Sequence, residues 1–117
     1  MRIEYPAFGR IVVDGTEYDH DVVVENGHVR KRDKGPSRSR EAPHGHTPLT
    51  LDEAIPWSQP TLIIGSGHSG RLPVLADVEE ESARRGVELV VIATSQAVDL
   101  LNRSSIGEVN AILHVTC

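Results

Sequence analysis

Four β-prone residues, Thr61-Leu62-Ile63-Ile64, run directly into Gly65-Ser66-Gly67-His68-Ser69-Gly70. A helical pattern follows from Val74 to Arg85, then Gly86, then a second apolar run from Val87 to Ala93. Strand, tight turn, helix and strand in that order make a βαβ unit, and the rest of the chain must pack around it. Gly86 suits the position just past a helix, where a left-handed residue closes the last turn. Val74, Leu75, Val78 and Ala83 are expected to face the core, with Glu79, Glu80, Glu81, Arg84 and Arg85 in water. Thr94 or Ser95 can cap a second helix in which Ala97, Val98 and Leu101 share a stripe and Asn102 lies near the end. Val109 to Val115 reads as a third buried strand, so the strands of this half form a parallel core.

The first third has a different pattern. Asp14-Gly15 separates Arg10–Val13 from Thr16–Tyr18, and Asn26-Gly27 separates Asp21–Glu25 from His28–Lys31. Both dipeptides favour hairpin turns whose two central residues take positive φ. The alternation around Val23 and Val29 suits an antiparallel sheet with one wet face. The expected fold class is therefore α/β: one compact domain over residues 1–117, with N-terminal antiparallel β-hairpins packed against a C-terminal βαβαβ parallel unit. The only aromatics are Tyr5, Phe8, Tyr18 and Trp57, so the core must be aliphatic.

Residues 33–48 carry three prolines, two glycines and many charges without apolar periodicity, and read as a long exposed loop. Thr50-Leu51-Asp52-Glu53 then reads as a capping box that starts a short helix ending before Pro56. On that reading Thr50→Ala costs about 1 kcal/mol.

Charge limits the range of functions. The formal net charge is −5, which argues against a general nucleic-acid coat. Arg30, Lys31, Arg32, Lys34, Arg38 and Arg40 nevertheless supply half of the twelve basic residues, opposed locally by Asp33 alone. They are candidates for binding an acidic partner, with Arg30, Lys31, Arg32, Arg38 and Arg40 singled out. No apolar run approaches the roughly 18 residues of a membrane span, and Met1–Pro6 has no signal-peptide or transit-peptide character. The single cysteine, Cys117, excludes an intramolecular disulfide and a multi-cysteine zinc cage, and fits a reducing, cytoplasmic setting.

The order of motifs in the second half adds a resemblance. Ile63-Ile64-Gly65-Ser66-Gly67, Arg85-Gly86, Thr94-x-x-Ala97, Asn102 and the ending His114-Val115-Thr116-Cys117 occur in sequence, after an opening segment from Gly9 to Tyr18. This set resembles the Mth domain family. The resemblance implies a compact α/β domain in which an antiparallel hairpin layer joins a βαβ-type layer. It implies little biochemistry, since no catalytic activity is established for the family, and points to protein-partner or assembly roles. The residues that carry it are Ala97, Asn102, His114, Thr116 and Cys117.

Several residue groups are candidates for a site on chemical grounds. Gly65-x-Gly67-x-x-Gly70 has dinucleotide-binding spacing, but Leu72-Pro73 moves the helix start away from the glycines. The second strand also ends at Ile92-Ala93-Thr94, without an acid to hold a ribose. Gly65, Ser66, Gly67 and His68 with Thr94 and Ser95 remain the candidate small-ligand site, at the carboxyl ends of the parallel strands. A metal would need three or four of His20, His28, His44, His46, His68 and His114 to converge. Strand alternation separates His114 and Thr116 from Val115 and Cys117, so no metal or other cofactor is assigned. A nucleophilic Cys117 would need a histidine or a helix N-terminus to activate it. Ser66, Ser69 and Ser95 lack a Gly-x-Ser-x-Gly elbow. The sequence therefore favours a non-enzymatic protein-interaction or assembly module, partnered by another protein or by a second copy. The alternative is an anion- or nucleotide-binding protein or enzyme using Gly65–Gly70.

Overall fold

The structure, a computed structural model, describes residues 1–40 and 47–117. The Arg40 side chain, His44 and His46 lie outside the described residues.

Both hairpin signals form turns. Asp14 and Gly15 take φ 49° and 84°, and Asn26 and Gly27 take 50° and 80°. The first turn joins β2 (Arg10–Val13) to β3 (Thr16–Tyr18), and β1 (Ile3–Ala7) pairs with the far side of β2. These strands form a separate antiparallel sheet in the order β1-β2-β3. The second turn joins β4 (Val22–Glu25) to β5 (His28–Lys31), with Glu25 opposite His28 and Val22 opposite Lys31.

The β4–β5 hairpin extends the parallel unit. β6 (Thr61–Gly65) is parallel both to β7 (Glu88–Ile92) and to β8 (Val109–Leu113), while β4 runs antiparallel along β8. The result is a five-stranded mixed sheet in the order β5-β4-β8-β6-β7. Helix α1 (Ala76–Arg85) links β6 to β7, and α2 (Thr94–Asn102) links β7 to β8. Antiparallel hairpins, a mixed sheet and two helices thus form the expected α/β domain.

Two apolar layers fill the space on either side of this sheet, and strand alternation sorts residues between them. Val22, Val24, Ile63, Ala111 and Leu113 point into a core shared with Ile3, Ile11 and Val13 of the small sheet and Ala97, Val98 and Leu101 of α2. Val23, Leu62, Ile64 and Ile112 point the other way, onto Val78 of α1, Leu49 and Leu72. Val22, Val23 and Val24 are all buried, so β4 has no wet face. The expectation of one fails because β4 lies inside the sheet beside β8 rather than in a free-standing hairpin.

Other local expectations also yield to tertiary contacts. α1 begins at Ala76, past Pro73, and buries Val78 and Ser82; Ala83 is exposed. Gly86 closes α1 in the left-handed region, at φ 69°. Thr94 lies inside α2, whose cap residue is Ala93, and neither Thr94 nor Ser95 caps the helix. Thr50–Glu53 forms a turn instead of a helix: Thr50 Oγ1 accepts the Asp52 N–H at 3.2 Å, and the Glu53 side chain turns elsewhere. Part of the expected 33–48 loop is ordered, since Gly35–Arg40 forms a 3₁₀ helix in which Ser37 is fully buried.

Candidate functional site

The crevice at the carboxyl ends of β6 and β7 does bring the glycine loop and the start of α2 together. The Gly67 N–H donates to Thr94 Oγ1 at 2.9 Å, and the Thr94 N–H donates to the Gly67 carbonyl at 3.0 Å. The chain's own residues 114–117 occupy this crevice. The His68 N–H donates to the Thr116 carbonyl at 2.7 Å, and the Ser69 and Arg71 N–H groups both donate to the Cys117 backbone oxygen at 3.1 Å. Thr94 Oγ1 donates to the His114 carbonyl at 2.6 Å. Converging amides are therefore present, as the motif suggested, but their acceptor is backbone.

Gly67 shows why the loop needs glycine. It has φ 109°, and a side-chain carbon there would overlap the Cys117 backbone. Ser66 is also structural, its hydroxyl donating to the Ile92 carbonyl at 3.0 Å. His68 is exposed, with its ring edge-on to Phe8 at 6.0 Å between centroids. Ser95 is exposed, and Cys117 is half-buried rather than enclosed.

The most elaborate polar arrangement lies elsewhere, around Arg32. Its side chain is 1% exposed. Nε and Nη2 form a two-pronged contact with Glu53, both bonds at 2.8 Å. Nη1 donates to Asp21 Oδ2 at 2.9 Å, and Nη2 also donates to the Pro48 carbonyl at 3.2 Å. The Ser37 hydroxyl donates to Glu53 Oε2 at 2.5 Å and lies 2.7 Å from Thr50 Oγ1. Because the Ser37 proton goes to a carboxylate, Thr50 must donate to Ser37. Burial alone would lower the Arg32 pKa; the hydrogen bonds and charges of Glu53 and Asp21 outweigh it and raise the pKa above its usual value.

Asp21 connects this cluster to residues 114–117. Oδ2 meets His114 Nδ1 at 2.8 Å, and Oδ1 accepts the Val115 N–H at 3.0 Å. Burial would raise the Asp21 pKa, but His114, the Val115 amide and Arg32 together hold it down at about 2. An ionised Asp21 fixes the His114 proton on Nδ1, leaving Nε2 as the acceptor 3.3 Å from the Thr116 hydroxyl. Carboxylate, imidazole and hydroxyl in series resemble an activated nucleophile. The nearby amides of His68 and Ser69 already bond carbonyl oxygens, however, so they offer no oxyanion site. The series is read here as a structural tie between β4 and the last residues.

Above this network lies a pocket of about 480 Å³, lined among others by Asp19, His20, Lys31, Lys34, Arg38 and Thr116. The basic candidates divide accordingly. Lys31 and Arg38 are exposed and line the pocket. Arg30 faces away, donating to the Ala54 carbonyl at 2.7 Å and lying 3.6 Å from Glu25. Arg32 must be corrected: it is an interior ion-pair residue and is not on the surface that a partner would meet. Among the family-motif residues, Ala97 packs in the core, and Asn102 bonds both the N–H and the carbonyl of Ile3, at 2.8 and 2.7 Å.

Sequence reasoning missed Asp21, Glu53 and Ser37. Asp21 was within reach, because the register set by Asn26-Gly27 continues past Val22–Lys31 to place Asp21 opposite Arg32. The Arg32 N–H does bond the Asp21 carbonyl, at 2.9 Å. Glu53 and Ser37 come from segments with no regular register, so nothing local marks them. No group of three or more metal-ligating side chains gathers among the described residues.

Neither a protein-family model nor a curated protein matches the sequence. Solved structures do. A conserved hypothetical protein, PH1505, from Pyrococcus horikoshii OT3 is 29% identical, is covered in full along with this chain, and superposes with a TM-score of 0.83. A protein titled MT938 is 27% identical over 99% of this chain and 98% of its own, with a TM-score of 0.69. An outer membrane protein from Bartonella henselae shares the fold, with a TM-score of 0.62 at 15% identity over 99% of this chain and 97% of its own. The fold is thus one seen in solved chains that this chain covers almost end to end, one of them described as a conserved hypothetical protein.

Proposed function

We propose that the protein is a non-enzymatic protein-interaction or assembly module, working in a reducing, cytoplasmic setting and related to the Mth domain family. One observation carries this reading. The crevice in which an open α/β sheet takes its ligand is filled by residues 114–117, bonded amide by amide to the glycine loop. The alternative of a nucleotide or anion on Gly65–Gly70 loses the amides of His68, Ser69 and Arg71 as free donors. No helix among the described residues is long and apolar enough to cross a membrane. The motif set from Gly9–Tyr18 to His114–Cys117 supports the same reading, because the family it resembles points to partner and assembly roles.

Native mass spectrometry on protein purified gently at low salt tests this proposal. A co-purifying polypeptide or a discrete homo-oligomer is the expected result. A stoichiometric small-molecule adduct that is lost on Thr94→Val would return the glycine loop to the role of ligand site and overturn the reading.

A further inference from the structure

We propose that the pocket above the Arg32 network binds a compact oxyanion of the phosphate-monoester class, gripped by Lys31, Lys34 and Arg38. This inference does not depend on the interaction-module reading, and either can fail alone.

The charges lining the pocket divide into those already paired and those left free. Asp21 has Oδ1 bonded to the Val115 amide and Oδ2 shared between His114 and Arg32. Asp33 Oδ1 accepts the Gly35 N–H at 3.0 Å. Lys31, Lys34 and Arg38 have no hydrogen-bond or ion-pair partner among the described residues, and Asp19 is the one lining carboxylate in the same condition. Lys31, Lys34 and Arg38 share this concavity with the carboxylates of Asp19 and Asp33, which leaves an excess of one positive charge whose field low-dielectric walls concentrate. Lysine ammonium groups and the planar guanidinium of Arg38 suit tetrahedral phosphate oxygens.

A second observation comes from the buried wall. Arg32 has five N–H donors, and four are used: one at Nε, two at Nη2 and one at Nη1. The remaining Nη1 proton has no partner among the described residues, and Arg32 lines the pocket. Its side chain is 1% exposed, so it backs the wall beneath the exposed cations and does not itself meet the ligand. His20, whose Nδ1 donates to the Asp21 carbonyl at 3.0 Å, and Thr116 complete the lining. The volume of about 480 Å³ lies within the range of small-molecule sites.

Amide NMR titration of the full chain at low salt tests the site, using inorganic phosphate, glycerol 3-phosphate and end-blocked phosphoserine as probes. Saturable shifts are expected around residues 19–21, 31–38 and 115–116. The combined variant Lys31→Ser, Lys34→Ser, Arg38→Gln should weaken binding at least tenfold. A control with the same charge change, Arg2→Gln, Arg10→Gln, Arg103→Gln, should leave it unchanged. Tighter binding of glycerol 3-phosphate supports a free metabolite as the source, and tighter binding of phosphoserine supports a modified side chain. Absence of saturable shifts with all three probes overturns the proposal, and so does an equal loss in the control variant. Neither result bears on the native mass measurement.

Discussion

At the scale of single residues, the strongest constraints are contacts that only one side chain satisfies. Gly67 combines a positive φ with direct contact to the Cys117 backbone. Gly67→Ala is therefore expected to cost roughly 2 kcal/mol or more, from the backbone conformation and from displacement of residues 116–117. A drop in the urea midpoint would measure it, and a variant as stable as the parent would contradict the contact. Arg32 is the second case. Arg32→Met removes the interior cation and leaves Glu53 and Asp21 buried without it, a loss of about 3–5 kcal/mol. Arg32→Lys keeps the charge but loses the two-pronged geometry, and should fall between the two. If both variants unfold at the parental midpoint, the network is not part of the stable core.

At the scale of elements, side chains that bond across elements set the relative positions of the layers. Asn102, at the end of α2, bonds both backbone groups of Ile3 and so fixes the small sheet to the helix. Asn102→Ala should cost about 1–3 kcal/mol, because buried backbone groups of β1 lose their partner. Hydrogen exchange should show faster opening at Ile3 than in β6, and uniform exchange across both sheets would rule out this local role. Thr94 has an equivalent position, holding Gly67 on one side and the His114 carbonyl on the other. These positions explain why Thr94 and Asn102 stand out in the sequence although Thr94 does not cap a helix: each bonds backbone groups of a distant segment.

At the scale of the whole molecule, the buried charges link folding to pH. Asp21 has a folded pKa of about 2 against an ordinary 3.8. A depressed carboxylate pKa stabilises the fold fully above its unfolded value and loses that contribution as pH falls through the folded value. The window therefore runs from about pH 4 down to about pH 2, and the shift corresponds to about 2 kcal/mol. Urea midpoints measured from pH 6 to pH 2 should fall through this window, while Asp21→Asn starts lower and shows a flatter profile. A parallel decline in both proteins would place the acid sensitivity elsewhere.

The sequence by itself determined the α/β class, both hairpin turns, the parallel β6–β7–β8 unit and the apolar stripe of α2. Each depends on local chemistry: glycine and asparagine at positive φ, alternation at period two, and a helical repeat ended by Gly86. The Asp21–Arg32 pairing lay within reach of the hairpin register but was not read from it. Tertiary structure alone decided that β4 is interior, that a run of basic residues contains a buried guanidinium, and that Glu53 serves Arg32 instead of capping a helix. It also decided what occupies the glycine loop. Those outcomes depend on which distant segments meet, and the desolvation of a charge or an amide is settled only by the partner that arrives from elsewhere in the chain.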